Sequence, residues 1–419
     1  MIDRRRVLTG GALSLAASTG PRPSLAAPAE GGGAPRLRRG VNIHHMLNWP
    51  MHLHEQPLEY AWPPFATPAY ATGADTLAAL RRAGFTFVRL TLDPAIFMAS
   101  DGRRRQMLVS IVLERVRQLL GAGFEVILDL HPVAENPAYA PAKLTMVGFA
   151  DFPAYLETVT LLAAALHGLP PTMVALELMN EPQLLGPEGL ARWRQLLQSL
   201  YAAARTAAPD LALVLTGANW SAARELTLLD TAPFRGGNVI YAFHHYDPHI
   251  FTHQGMAKAT PEKYFEGLLW PPQVSQAGRM TNLLHQRIAA DPAVARDAQV
   301  ATFDRAELAL ARYMTIGDGE RKIREDFALV ALWARANGVP ADRILLGEFG
   351  ANEASAETPA QHGSRIAWLA AVRKAAEAQG FGWAYWALED VSASRGGFRL
   401  LPAGSATDFE SGVLHALFD

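Results

Sequence analysis

Two glutamates stand where they could act as a pair. Glu181 lies in the segment LELMNEP (Leu176 to Pro182), and Glu348 lies in LLGEFGAN (Leu345 to Asn352). Each follows an apolar run that is typical of a buried strand. Two carboxyl groups about 5 Å apart can cleave a glycosidic bond, because one attacks the anomeric carbon while the other donates and later abstracts a proton. Such a pair needs two environments that separate the two pKa values.

Other polar and aromatic residues also stand at the ends of predicted strands. A nucleophilic carboxylate stays ionised beside a cation such as Arg89, and a proton donor stays neutral beside aromatic rings and a second carboxylate. The candidates at strand ends are Arg89, Asp129, His131, Asn180, Trp220, His244, Tyr246, Trp383 and Trp386. A single polar or aromatic residue at a strand end says little about function. Such residues at the ends of seven predicted strands together predict one active site at that face.

Short strand patterns alternate with longer helical patterns from Arg38 onward. The strand segments are RRGVNI, FTFVRLT, FEVILDLH, MVALELMNEP, LALVLTG, NVIYAFHHY, RILLGEFG and GWAYWALED. The helical patterns lie near 75–84, 105–120, 151–167, 187–207, 320–337 and 359–379, with a weaker one in SAARELTLL. Eight βα units predict an α/β fold of the (β/α)8 TIM barrel class as a single domain. GVNIHH lacks the glycine fingerprint of a dinucleotide-binding sheet.

One segment interrupts this alternation. About 70 residues, 248–316, separate the sixth strand from the seventh and include KYFEGLLWPPQ and MTNLLHQRIAADPAVARDAQ. A loop of this length is usually structured or functional, and after a barrel strand it lies at the catalytic face. We therefore expect a partly helical insertion that forms a cap or a wall of the cleft. A surface excursion remote from the site is the alternative.

Composition narrows the possible functions. The chain has 419 residues, 50% of them hydrophobic, a net charge of −2 and no cysteine. The apolar content is ample for a large core, and the balanced charge argues against a nucleic-acid partner. The absence of cysteine excludes disulfides, zinc–thiolate sites and cysteine nucleophiles. We expect no cofactor and no metal.

The first residues have the features of an export signal. Arg4, Arg5 and Arg6 precede a short apolar stretch, and small residues follow near Ala27. We interpret 1–27 as a twin-arginine-type signal peptide, 28–36 as a flexible linker and 37–419 as the hydrolase domain. This predicts a periplasmic or extracellular protein. The apolar run is too short to span a bilayer, so no stable membrane insertion is expected. A basic tail is the alternative.

Seven segments together resemble a known family. LELMNEP and LLGEFGAN look like the family 5 glycoside hydrolases, the cellulase family of the large barrel clan A, and RGVNI, FVRL, DLHP, YAFHHYDP and WAYWALED occur in the family's order. The resemblance extends from Arg38 to Asp390. GVNIHH departs from many relatives in its two histidines, and the 248–316 insertion is longer than is common. The resemblance implies a barrel that cleaves β-linked glycans.

The resemblance also implies roles for the paired glutamates and their neighbours. Glu181 would be the general acid/base, and Asn180 would bond the 2-hydroxyl group of the sugar. Glu348 would be the nucleophile, held by Arg89 and Tyr246. From its inward position on the fourth strand, Glu177 is expected to be a buried structural partner of a cation.

Further residues would contact the substrate. By the resemblance, His131 and His244 would line the subsite before the scissile bond, and Trp386 would stack on the sugar ring. We regard His45 and Trp220 as candidates for remote subsites, as we do Trp49, and Trp383 as either a cleft residue or outer packing. Histidines cluster at 44–54 and 244–253. A metal site is possible there, but cleft-wall histidines are the interpretation that we adopt.

The resulting hypothesis is a retaining endo-β-glycosidase that hydrolyses β-1,4-glucan or a related β-linked polysaccharide by double displacement. Its partner is a polysaccharide or oligosaccharide, and we expect a monomer. The alternatives are a β-mannanase, a β-1,3-glucanase or an exo-β-glucosidase on the same scaffold, since one fold supports several specificities. A non-catalytic carbohydrate-binding barrel and a metal-dependent hydrolase are alternatives of other classes.

Overall fold

The computed structural model describes residues 33–55, 58–133, 138–256, 261–353, 358–389 and 397–419. The proposed signal peptide and most of the linker lie outside the described residues. Eight parallel strands close into a barrel, which confirms the predicted (β/α)8 fold. None of the described helices is long and apolar enough to cross a membrane.

The barrel strands follow in chain order, with a small hairpin after the first. The barrel consists of β1 (Arg39–Leu47), β4 (Phe87–Leu92), β5 (Glu125–Leu130), β6 (Val174–Glu177), β7 (Ala212–Thr216), β8 (Val239–His244), β9 (Ile344–Phe349) and β10 (Gly382–Tyr385), and the hairpin of β2 (His52–Glu55) and β3 (Leu58–Tyr60). Their order around the barrel is sequential, and β1 closes it against both β4 and β10.

Helices cover the outside of the barrel. The long ones are α1 (Ala74–Ala83), α3 (Gly102–Gly121), α5 (Phe152–Leu166), α6 (Gly186–Ala207), α12 (Gly319–Ala336), α13 (Pro359–Ala378) and α14 (Ser411–Phe418). Single turns are α2 (Ala95–Met98), α4 (Pro141–Leu144), α7 (Ala218–Ser221) and α8 (Ala223–Leu226). The weak helical pattern of SAARELTLL therefore forms only short turns. The N-cap of α3 is Asp101, whose side chain accepts a hydrogen bond from the Arg104 amide, and α12 and α13 also begin with a side-chain cap.

Side chains of alternating direction fill the barrel and pack it against the helices. Phe87, Ile127 and Ala384 belong to a small core inside the barrel. Gly40 is required there, because a Cβ atom would lie 2.3 Å from the Phe87 ring. Trp383 points the other way and is fully buried between the barrel and α14, where its ring packs edge-on against Phe85. Trp383 is therefore outer packing and not a cleft residue.

The segment after β8 is helical, as the sequence predicts. It contains α9 (His249–Thr252), α10 (Ala277–Ala290) and α11 (Gln299–Met314), and α10 packs against α11 as a hairpin. The Tyr313 hydroxyl donates to the Leu269 carbonyl at 2.5 Å, and the Gln254 side chain accepts from the Leu268 amide at 2.8 Å. These bonds fold the insertion back on itself beside the barrel mouth.

Candidate active site

The predicted site residues converge at the carboxyl ends of the strands. A cavity of about 1000 Å³ opens there. Its lining includes Glu181, Glu348, His131, His244, Tyr246, Trp220 and Trp386. Arg89 and Asn180 lie directly beneath, buried and bonded to residues of this lining. Residues far apart in sequence meet here because the carboxyl ends of all parallel strands lie on the same face of a barrel.

Glu181 lies just beyond β6 in a backbone conformation that non-glycine residues rarely adopt, with φ of 42°. Its Oε1 atom is 2.8 Å from His244 Nδ1, and its side chain remains 25% exposed to the cavity. Burial raises the pKa of Glu181 from 4.5 to about 7. A carboxyl group with this pKa is protonated for part of the time at neutral pH and can donate to a leaving group.

Glu348 ends β9 and is held from both sides. Arg89 Nη1 donates to its Oε1 atom at 2.7 Å, and the Tyr246 hydroxyl donates to its Oε2 atom at 3.0 Å. Burial raises the pKa of Glu348, while His244 and Arg89 act in the opposite direction. The two donors fix the carboxylate in one orientation and stabilise its charge, as a nucleophile requires.

Glycine precedes Glu348 for a steric reason. A Cβ atom on Gly347 would lie 3.0 Å from His244 Nε2. His244 in turn has its Nδ1 atom 3.6 Å from Glu348 Oε2. Burial lowers the pKa of His244 to about 4, so the ring is neutral at neutral pH. The neutral ring thus shares a hydrogen bond with Glu181 and lies close to Glu348 without adding charge.

Arg89 is the centre of a fully buried polar cluster. Its Nε and Nη2 atoms bind both oxygens of Glu177 at 2.7 and 3.0 Å, and Nη2 lies 3.0 Å from Asp129. Burying a guanidinium group without carboxylate partners would be costly, so these acids are required for Arg89 to stand behind Glu348. Glu177 is thus the structural partner that its inward position on β6 suggests.

Asn180 and His131 complete the floor of the site. Arg89 Nη2 donates to Asn180 Oδ1 at 2.8 Å, and Asn180 Nδ2 is 3.3 Å from His131 Nε2. The other ring nitrogen of His131 is 2.8 Å from Asp129. Trp386 stacks on His131 with the ring centres 5.4 Å apart and 11° between the planes. The Trp386 ring is therefore held at a fixed angle beside the paired carboxylates.

The two catalytic candidates are close to each other. One carboxylate oxygen of Glu181, one of Glu348 and a nitrogen of His244 all lie within 4.8 Å of one another. Three such ligand atoms could also hold a metal ion, and no other such group was found among the described residues. The positive charge of the Arg89 guanidinium, 2.7 Å from Glu348, would repel a divalent cation at this position. The geometry thus favours acid/base and nucleophilic chemistry.

The structure corrects the expectation for His45. This side chain is only 2% exposed and does not line the cavity. Its Nε2 atom is 3.0 Å from Thr72 Oγ1, and its Nδ1 atom is 3.4 Å from Glu389. The pleat of β1 turns His45 away from the barrel mouth, so it cannot be a remote-subsite contact.

Trp220 does reach the cavity. It is 45% exposed, within a turn in which Asn219, Trp220 and Ser221 have left-handed φ values of 50°, 56° and 54°. The Trp220 amide donates to the Pro182 carbonyl at 3.2 Å, which ties this turn to the segment of Glu181. Consecutive non-glycine residues in this region are strained, and such strain occurs mainly at functional sites.

The histidine-rich segments do not form one centre. His44 is buried edge-on between Trp49 and Trp386, at 4.8 and 5.1 Å. His249 and His253 stack on each other at 3.7 Å on the cavity wall. Apart from the Glu181 group, no cluster of three or more potential ligands was found in the part of the chain that the structure describes.

Two residues of the site were not predicted from sequence. Asn42 on β1 accepts a bond from Arg89 Nη1 at 2.9 Å and donates to the Gly347 and Tyr385 carbonyls at 3.0 and 3.1 Å. Its place in an inward-facing strand pattern was the available signal. Phe398 lines the cavity beside Tyr246, with the ring centres 5.8 Å apart. It follows the last barrel strand by many residues, and nothing in the local sequence marks it.

Known proteins resemble this chain in sequence over part of its length. Endoglucanase 3 of Fibrobacter succinogenes is 27% identical over 212 residues, which cover 50% of this chain and 29% of that protein. Cellodextrinase A of Ruminococcus flavefaciens is 28% identical over 182 residues, which cover 43% of this chain and 52% of that protein. The matches thus span less than two thirds of these curated relatives.

Solved structures share the fold. Endoglucanase Cel5A of the hyperthermophile Thermotoga maritima superimposes with a TM-score of 0.64 at 21% identity, over 91% of this chain and 97% of that one. The cellulose synthase subunit Z of Clostridioides difficile gives a TM-score of 0.62 at 21% identity, over 91% and 100%. A family model described as cellulase, glycosyl hydrolase family 5, matches residues 52–392, most of the sequence, and the chain belongs to this family.

Proposed function

We propose that this protein is a retaining endo-β-glycosidase that hydrolyses β-1,4-glucan or a closely related β-linked polysaccharide by double displacement. The observation that carries the proposal is the distance between the paired glutamates, since one carboxylate oxygen of Glu181 and one of Glu348 lie within 4.8 Å of each other. Retaining enzymes hold their carboxyl groups about 5 to 5.5 Å apart, whereas inverting enzymes need about 6.5 to 9.5 Å to admit a water molecule between sugar and base.

In the first step, an oxygen of Glu348 attacks the anomeric carbon. Glu181 transfers its proton to the glycosidic oxygen, whose bond to that carbon breaks, and the leaving sugar departs as an alcohol. Arg89 and Tyr246 hold Glu348 by bonds of 2.7 and 3.0 Å, so the attacking oxygen needs little reorganisation. The product of this step is a glycosyl ester of Glu348 and an ionised Glu181.

In the second step, Glu181 takes a proton from water, and the resulting hydroxide attacks the same carbon and releases Glu348. This change of role follows from charge. The ionised forms of Glu181 and Glu348 each raise the pKa of the other, so esterification of Glu348 lowers the pKa of Glu181. The group is therefore an acid in the first step and a base in the second.

The substrate assignment rests on the names of the relatives and on the platform that Trp386 forms. The relatives are named an endoglucanase and a cellodextrinase, and one solved structure with the same fold is described as a hyperthermophilic endo-β-1,4-glucanase in complex with substrate. Trp386, fixed against His131, offers a flat apolar surface that suits the C–H face of a sugar ring. Together these observations support a β-1,4-glucan, and β-mannan, β-1,3-glucan and exo-acting variants are the alternatives that a substrate panel separates.

We further propose that the protein is exported, acts as a monomer and works in the periplasm or outside the cell. Arg4, Arg5 and Arg6, followed by a short apolar stretch, support export by the twin-arginine route. Detection of the mature protein in a periplasmic or culture fraction, and its loss when Arg4 and Arg5 are both changed to Lys, would test this proposal.

The central experiment combines a substrate panel with two amide variants. Wild type, Glu181→Gln and Glu348→Gln are assayed for reducing sugar released from cellulose derivatives, mixed-linkage glucan, mannan and laminarin. Both variants should remain folded and lose nearly all turnover on the preferred glycan. Glu188→Gln, an exposed acid at the start of α6, is the matched control and should keep full activity. Full activity of the Glu348 variant would refute the assignment.

The anomeric configuration of the first product decides the mechanism. Proton NMR during the early reaction should show β-anomers before they equilibrate in water, because two inversions restore the original configuration. Initial formation of α-anomers would refute double displacement. Tight glycan binding by wild type without release of any reducing ends would instead favour a carbohydrate-binding barrel.

A further inference from the structure

A second cavity of about 630 Å³ adjoins the catalytic cavity. It lies between the insertion, from α9 to the end of α11, and the first half of α12. Five residues line both cavities, namely His245, Asp247, His249, Lys322 and Asp326. The two cavities are therefore neighbours, and these five residues lie between them.

The floor of the second cavity is apolar and firmly packed. Trp270, Tyr313 and Ile323 are at most 5% exposed. The Trp270 ring lies against Gly319, where a Cβ atom would come within 1.8 Å of the indole. Only glycine fits at this position of α12, and the close contact holds the insertion against the helix. The cavity is thus a built part of the fold.

His245 presents an unpaired polar atom at the junction of the cavities. The residue is 3% exposed, and its Nε2 atom has no hydrogen-bond partner in the described part of the chain. The ring is held by Phe327 at 5.3 Å and Trp368 at 6.2 Å, so it cannot easily turn away. Buried polar groups usually have a hydrogen-bond partner, so a buried nitrogen without one beside a cavity indicates a binding position for a ligand or for ordered water.

The charges around the second cavity nearly cancel. Arg321 pairs with Glu325 at 3.5 Å, and Lys322 pairs with Asp326. Arg312 and Asp247 remain, one of each sign, without an ion pair among the described residues. A balanced rim over an apolar floor does not select an anion or a cation. It suits a neutral molecule with apolar faces and polar edges, as sugars have.

The position of the cavity indicates which part of the substrate it receives. Glu181, the proposed proton donor, is bonded to His244 at the end of β8, and the second cavity begins at the next residue. Trp386, the proposed platform for the sugar that is attacked, follows β10. The leaving group therefore departs toward β8 and the insertion, away from the Trp386 side.

We propose that the second cavity is a subsite for a neutral sugar unit in the leaving-group portion of the substrate, at least two positions beyond the cleaved bond. This inference rests on the proposed function and deepens it, because it means that the insertion selects long or branched glycans over short ones. His245, Lys322 and Asp326 bind hydroxyl groups at the entrance, and the apolar floor receives the ring.

A variant that fills the cavity tests this proposal. Ala309 lines the second cavity from α11, and Leu308 is its exposed neighbour, which lines neither cavity. Ala309→Trp should lower kcat/KM at least about tenfold on cellohexaose or mannohexaose, whichever the wild type cleaves. On an aryl β-cellobioside, whose leaving group is too short to reach the cavity, the change should stay within about twofold. Leu308→Trp should change neither value.

Two kinetic outcomes would overturn the inference while leaving the proposed function intact. One is unchanged hexasaccharide cleavage by a folded Ala309→Trp variant, and the other is an equal loss on both substrates. Calorimetric binding of the hexasaccharide in the inactive Glu348→Gln background supplies a readout that needs no turnover: equal affinity with and without Ala309→Trp, or no binding to either protein, also overturns the inference. Failure of wild type to cleave either substrate would instead refute the proposed function.

Discussion

The raised pKa of Glu181 leads to a prediction that involves both rate and stability. Burial moves this pKa from 4.5 to about 7. A difference of this size corresponds to about 3 kcal/mol by which the folded site disfavours the ionised form. Because only protonated Glu181 can assist the leaving group, kcat/KM on an oligosaccharide should fall about tenfold for each pH unit above 7, to about one hundredth at pH 9.

The assay compares two leaving groups. Cellotetraose needs a proton on its departing oxygen, whereas 2,4-dinitrophenyl β-cellobioside releases a stable phenolate without one. Since kcat/KM reports the step that forms the glycosyl ester, the loss at high pH should appear with cellotetraose and be absent with the aryl glycoside. Glu181→Gln should lower kcat/KM on cellotetraose by about 10² to 10⁴ and affect the aryl glycoside much less.

Two results would refute this reasoning. If both substrates lose activity equally above pH 7, the titrating group does not protonate the leaving group. If the loss at high pH persists in Glu181→Gln on cellotetraose, the pKa near 7 belongs to another residue. Glu188→Gln, exposed on α6, should reproduce the wild-type profile on both substrates.

The same pKa also affects folding. A glutamate whose pKa is higher in the folded than in the unfolded state favours folding below pH 4.5, and this contribution disappears as the pH rises through about 7. At pH 8, Glu181→Gln should therefore be more stable than wild type by up to about 3 kcal/mol, and at pH 4 the two should be similar. Urea unfolding at both pH values measures the difference. Equal stability at pH 8 would contradict the raised pKa.

Three further predictions concern the surroundings of the pair. Tyr246→Phe removes a 3.0 Å bond to Glu348, so the pKa of Glu348 should rise, kcat/KM should fall about 10- to 100-fold, and the acid limb of the pH–rate profile should move to higher pH. An unmoved acid limb would count against Glu348 as the nucleophile. Arg89→Lys cannot reproduce the two-pronged contact with Glu177 and should lower the unfolding free energy by about 3 kcal/mol or more, which calorimetry can measure against the exposed control Arg103→Lys. Excess EDTA should leave turnover unchanged, and a loss that added metal restores would favour the metal-dependent alternative.

Much of the site was predictable because barrel geometry is regular. Residues at the ends of parallel strands share one face, so eight strand patterns were sufficient to bring Arg89, His244 and Glu348 together. Glu181 could be placed in the same way, although it lies just beyond its strand. The partly helical insertion was expected as well, because a segment of about 70 residues between two barrel strands is usually structured.

The orientation of individual side chains on a strand was not predictable in the same way. Strand alternation shows that successive residues face opposite sides, but the nine residues of β1, with apolar and polar side chains on both faces, did not reveal that His45 turns away from the barrel mouth to Thr72. Trp383 presented the same choice, and its contacts with Phe85 and α14 decided it. Both outcomes depend on partners that are distant in sequence.

The sequence by itself determined the barrel, the two glutamates and most of the residues around them, because these depend on local pattern and on the parallel order of strands. Only the tertiary structure decided that Arg89 joins Asp129, Glu177 and Glu348 in one buried cluster. Only the tertiary structure shows that Trp270 packs against Gly319 and that a second cavity lies beside the first. The physical reason is that pKa values and cavity shapes arise from burial and from contacts between distant segments.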